Sequence, residues 1–217
     1  MSEPLPDQGW SREIRVLDNA LIVPPSATNP GLGVICSDGL CQEAANWREG
    51  KNTSTPISCM PESHDVLSGT HLWGGTFFGH FGHFMVESIA RLWAVRGSRA
   101  ESVLFAPKHP PLRDFQGYQS RIIELLDLGI PVDIVRTPTK VERLLVPGQG
   151  FGLGKISRAT PEFREMMERM AKKVTPDGPE KIYISRTRFG GNGGCWPKAS
   201  SNRTSLMRDI RRSIPNG

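Results

Sequence analysis

Residues 74–93 read GGTFFGHFGHFMVESIARLW. The stretch opens on glycines and closes on a run with helical spacing, so it marks where the chain passes from strands to helices. It holds two of the five histidines of a 217-residue chain. At about 100° per residue, Phe81, Met85, Ser88, Ile89 and Leu92 share one side of a predicted helix, while His83, Glu87 and Arg91 stack at intervals of four on another. One reading of that stripe is a ladder on a solvated face, with Glu87 bridging His83 and Arg91 for roughly a few tenths of a kcal/mol per pair. The other reading is a site. Gly74, Gly75, Gly79 and Gly82 let a loop bring backbone N–H groups to a ligand, the helix N-terminus adds partial positive charge, and His83 or Glu87 is placed to act as a general base. His80 and His83 lie three apart without a third ligand at a convincing spacing, so no metal site is expected.

Outward from this stretch the chain has two textures. Upstream, to residue 72, short β-branched runs (REIRVL, ALIVPP, GLGVICS) alternate with Pro, Gly and Asn, which predicts a β-rich N-terminal segment over 1–72. Downstream, helical patterns (HFMVESIARLWAV, YQSRIIELLDLG, TPEFREMMERMAKKV) alternate with strand patterns (SVLFAP, VDIVRT, RLLVPG, KIYISR). That alternation predicts an α/β domain with a mainly parallel sheet over 73–175. Thr160 reads as an N-cap with Pro161 in the first helical position, and TPDGPE, residues 175–180, reads as a linker.

Composition narrows the class without choosing a function. The net charge of +5 favours anionic ligands in general, but the basic residues are scattered and do not interleave with aromatics as a nucleic-acid platform would, so no nucleic-acid partner is expected. No run approaches the roughly 18 apolar residues of a membrane span, and the opening MSEPLPDQGW lacks the basic then apolar pattern of a signal peptide. The expectation is a soluble, cytoplasmic protein. The four cysteines show no CxxC spacing and read as ordinary thiols.

GHFGHFMVESIARLW, followed about ninety residues later by KIYISRTR, resembles the family 61 glycosyltransferases, in which a His-Phe-x-x-(Asp/Glu)-x-x-x-Arg helix precedes a Tyr-x-Ser-Arg strand. The first motif matches at His83, Phe84, Glu87 and Arg91, the second at Tyr183, Ser185 and Arg186. The resemblance implies a two-domain, GT-B-like enzyme that transfers a sugar from a nucleotide donor to a hydroxyl of a glycan or polysaccharide with inversion, with no obligatory metal and no cofactor beyond that co-substrate. It implies a Rossmann-like acceptor domain, with residues 176–192 as linker and first strand of the donor domain. Carried onto this chain, His83 or Glu87 is the catalytic base. His80, Arg91, Arg186 and Arg188 contact substrate, the two later arginines facing the donor diphosphate. Trp73 and Trp93 are either sugar-stacking rings or core.

Residues 193–217 have no sustained period, where the resemblance calls for a helix and a full donor domain. With permissible codons chosen for this tail, a one-base insertion after the codon for Asn192 can open a neighbouring frame with apolar residues near helical spacing. The expectation is therefore a frameshifted tail, a second domain largely missing, and a chain inactive by itself. The rival to an enzyme is a non-catalytic carbohydrate- or polyanion-binding module that uses the same glycines and arginines.

Overall fold

The structure is a computed structural model and describes residues 12–48, 51–109, 114–115, 117–152, 159–175 and 177–179. Its first strand, β1 (Ile14–Val23), turns Leu17, Ala20 and Ile22 inward. The inward set passes from odd to even positions because Asn19, at φ 56°, takes a left-handed conformation between them. There follow β2 (Gly33–Cys36), β3 (Gly39–Leu40), β4 (Trp47–Arg48), β5 (Lys51–Asn52) and β6 (Asp65–Phe77). Next come α1 (Phe81–Val86), a 3₁₀ segment Ser88–Ala94, β7 (Ser102–Pro107) and α2 (Tyr118–Leu126). Last among the described elements are β8 (Val132–Ile134), β9 (Thr139–Pro147) and α3 (Pro161–Ala171).

Seven strands form one sheet in the order β3-β2-β1-β9-β6-β7-β8, and β4 pairs with β5 apart from it. Neighbours in the block β9-β6-β7-β8 are parallel. The N-terminal strands extend the same sheet with antiparallel pairings. The fold is thus mixed α/β, as the alternation predicts, and β6 runs without a break through residue 72. Adjacent residues face opposite ways. Leu72, Phe77, Val103 and Phe105 meet Phe84, Ile89, Leu92, Ile122, Phe163 and Met166 on the helical side. Trp73, Leu104, Ala106 and Leu144 meet Leu17, Ile22, Val34 and Ala44 on the other. Each large side chain buried in this way contributes roughly 1.5–3 kcal/mol.

The pattern HFMVESIARLWAV predicts one helix, and the structure corrects this. The α-helix ends at Val86, Glu87 sits at φ −115° and ψ −44°, and the chain continues as 3₁₀. The cause is competition for helix carbonyls. Ala90 O accepts from Gly150 N at 2.7 Å, and a Cβ on Gly152 would lie 2.5 Å from Val86 O, so the chain after β9 presses on this turn.

The other helices follow their signals. Thr160 Oγ1 accepts from Phe163 N at 3.3 Å to cap α3, and Asp127, in the left-handed region at φ 49°, ends α2. Among the described residues no helix is long and apolar enough to cross a membrane. The chain divides into the units Met1–Val174 and Thr175–Gly217. The predicted KIYISR strand, Arg186, Arg188 and the tail from Gly193 lie outside the described residues.

Candidate active site

β6 continues toward β7 on one side while β9 flanks it on the other. In α/β sheets ligands bind beyond the carboxyl ends of the strands at such a point. Three segments meet there: the turn through His80 into α1, the chain after Pro147, and residues 41–48 of the N-terminal segment, here termed the strap.

Glu87 is the centre of this meeting point and is 1% exposed. Its carboxylate is held from two sides. Arg48 Nε donates to Oε1 at 2.8 Å, and Arg48 Nη2 lies 2.6 Å from Oε1 and 2.8 Å from Oε2. Asn46 Nδ2 donates to Oε1 at 3.2 Å, and His83 Nδ1 stands 2.6 Å from Oε2. A carboxylate oxygen so enclosed by donors only accepts, so the proton on this side of the ring belongs to Nδ1. The 3.1 Å approach of Arg48 Nη2 to the same Nδ1 is then a contact between two donors that share one acceptor. In the neutral ring this leaves the lone pair on the opposite nitrogen, Nε2.

The imidazole is placed for access. Its side chain is 44% exposed and that of Arg48 40%, whereas Glu87 beneath them is closed off. The ring stacks on Phe78, with centroids 5.2 Å apart and planes at 30°, and meets the edge of His80 at 5.5 Å. His80 caps α1 by accepting from Gly82 N at 3.3 Å. The turn before α1 is fixed from α2: Tyr118 OH donates to Gly79 O at 2.9 Å and Gln119 Nε2 to Phe78 O at 3.2 Å. Ser88 Oγ accepts from Phe78 N at 3.0 Å and donates to Thr76 O at 2.9 Å.

The strap is pinned by buried donors from three other parts of the chain. Arg91 Nη2 donates to Glu43 O at 2.8 Å and to Ala45 O at 2.7 Å. Trp73 Nε1 donates to Ala44 O at 2.9 Å. The Gln149 amide accepts from Trp47 N at 2.7 Å and donates to Trp47 O at 3.3 Å. Burial pulls the Arg91 guanidinium down to about 10, opposed by the charge of the Cys41 thiolate. Arg91 Nε and Asn46 Oδ1 are buried without partners among the described residues.

The structure therefore brings His83 and Glu87 together, sets His80 at the rim and separates Arg91 from them. The solvated ladder is corrected: Glu87 and Arg91 are both buried, and the guanidinium that grips Glu87 is that of Arg48. Arg91, expected to contact substrate, has no exposed surface and holds backbone carbonyls instead. The glycines are also used differently. Gly74 and Gly75 belong to β6; a Cβ on the first would meet Phe105 at 2.7 Å, and one on the second would sit 3.4 Å from Arg91 Nη1. Trp73 is fully buried, so of its two expected roles it fills the core.

Arg48, Asn46 and Gln149 escaped the sequence reading. Arg48 stands 39 positions from Glu87 in a polar run that carries only turn signals. Among the described residues no group of three or more His, Cys, Asp or Glu is arranged to hold a metal ion. Comparison with family models, with curated proteins and with solved structures returned no match.

Proposed function

We propose that this site deprotonates a hydroxyl of a glycan or polysaccharide acceptor as a sugar is transferred to it from a nucleotide donor. The observation that carries the reading is a half-exposed imidazole whose Nδ1 is engaged 2.6 Å from a carboxylate 1% exposed. A base so held keeps one nitrogen oriented and offers the other.

In the step, the acceptor oxygen gives its proton to His83 Nε2 and forms a bond to the anomeric carbon from the face opposite the leaving group. The bond from that carbon to the diphosphate oxygen breaks, and the nucleotide diphosphate leaves with the electron pair. Glu87 stabilises the imidazolium so formed, and Arg48 holds the carboxylate in position. Of the two bases left open by the sequence, the reading takes His83, because Glu87 has no free approach. His80, on the rim, is assigned to the acceptor. Arg186 and Arg188, outside the described residues, are assigned to the donor diphosphate. The parallel half of the sheet is read as the Rossmann-like acceptor domain of a GT-B-like enzyme.

The test is acceptor-dependent nucleotide release from a panel of nucleotide sugars. It is run on this chain and on a version read through the neighbouring frame after Asn192. Release by either, lost in His83→Gln, supports the reading. Absence of release from both, or release untouched by His83→Gln, overturns it. Glycan binding that persists without any release assigns the site to a non-catalytic carbohydrate-binding module.

A further inference from the structure

Arg91 is a buried arginine whose contacts among the described residues do not repay its burial with an ion pair. Its guanidinium is fully buried, makes no ion pair with a carboxylate among the described residues, and leaves Nε without a partner. Buried charges are normally paired, and an apolar side chain of similar volume is often at least as stable in such a place. What the guanidinium does achieve is specific. One nitrogen, Nη2, draws together the carbonyls of Glu43 and Ala45. The next residues along the strap are Asn46 and Arg48, and both end on the Glu87 carboxylate. Gly75, at φ 102°, lies beside the guanidinium, where a Cβ would stand 3.4 Å from Nη1.

We infer that Arg91 is a positioning residue: it fixes the backbone of the strap so that Arg48 and Asn46 reach Glu87, and through Glu87 it sets the His83 imidazole. The inference rests on the reading of His83 as the reactive group only for its consequence in turnover. Its structural content stands apart from that reading. Trp73 and Gln149 hold neighbouring strap residues, Ala44 and Trp47, but neither grips the carbonyls on both sides of Ala44 as Arg91 does.

The experiment asks whether Arg48 still acts on Glu87 once Arg91 is gone. Urea unfolding is measured for the chain, Arg48→Ala, Arg91→Leu and the double variant. In the unaltered background Arg48→Ala lowers the unfolding midpoint. In the Arg91→Leu background that shift is expected to vanish, because the strap no longer delivers the arginine. A residue that merely fills space lowers overall stability and leaves the Arg48→Ala shift intact, which overturns the inference. Should Arg91→Leu fail to fold, Arg91→Lys is read in its place; an Arg48→Ala shift smaller than in the unaltered chain supports the inference, and an undiminished one overturns it. Because no sugar is involved, failure here is distinct from failure of the proposed transfer reaction.

Discussion

Arg48 Nη2 lies 2.6 Å from one oxygen of Glu87 and 2.8 Å from the other, across 39 positions of sequence. The pair joins a strand-rich N-terminal segment to a helix turn, and the two partners differ in exposure: the guanidinium is 40% exposed, the carboxylate 1%. That difference makes their removal unequal.

Arg48→Ala leaves a buried carboxylate with only His83 and Asn46. Loss of one partner of a buried pair typically costs several kcal/mol, and the solvent reach of Arg48 reduces this to about 2 kcal/mol. Glu87→Gln leaves an arginine free to turn to water and costs about 1 kcal/mol. Urea unfolding of the two variants checks the order; a larger loss for Glu87→Gln contradicts it.

Gly152 is at φ 96°, and a Cβ there would lie 2.5 Å from Val86 O, whereas nothing lies within 4 Å of a Cβ at Gly79. Gly152→Ala is expected to destabilise by about 2 kcal/mol or more through strain and overpacking at the end of α1. Gly79→Ala, although closer in sequence to the histidines, is expected to change stability by less than about 0.5 kcal/mol. Thermal unfolding of both variants settles the comparison, and tolerance of alanine at 152 counts against the packing described.

Cys41 is buried and Cys59 exposed. Burial pushes the Cys41 thiol up to about 11, outweighing the hydrogen bond with Ala44 and the Arg15 charge that lower it. At pH 8 Cys59 should alkylate rapidly and Cys41 only on unfolding, read by peptide mass mapping. The sign for stability follows. The folded value exceeds the ordinary 9.0, so the contribution is complete below that value and is lost as pH rises toward about 11. Labelling of Cys41 in the folded protein at the rate of Cys59 contradicts the burial.

Thr160→Ala removes the acceptor for Phe163 N at the start of α3 and is expected to cost about 1 kcal/mol. Hydrogen exchange at the Phe163 amide should quicken at the same time. Unchanged exchange means that the cap does no such holding.

The sequence made some of this legible for physical reasons. Ser102–Pro107 and Pro161–Ala171 follow from local signals, a short apolar run in one case and a Thr-Pro start with an apolar stripe in the other. His83 and Glu87 meet because they stand four positions apart across one helical turn, a spacing visible in the sequence. The same spacing between Glu87 and Arg91 misled, because the helix changes to 3₁₀ at Glu87 under pressure from the chain after β9. Local pattern carries no information about such long-range competition. Arg48 was invisible for a related reason: its partner is chosen by how the N-terminal strands join the sheet, and nothing in residues near 48 encodes that.

Glu87 accepts a hydrogen bond from Nδ1–H of His83, which leaves Nε2 of the neutral ring as the open acceptor. Long-range ¹H–¹⁵N correlation spectra of the His83 ring, assigned by His83→Gln, measure this directly at a pH where the ring is neutral. A protonated Nδ1 and a bare Nε2 are expected, with that preference lost in Glu87→Gln. A ring protonated at Nε2, or one indifferent to Glu87→Gln, contradicts it.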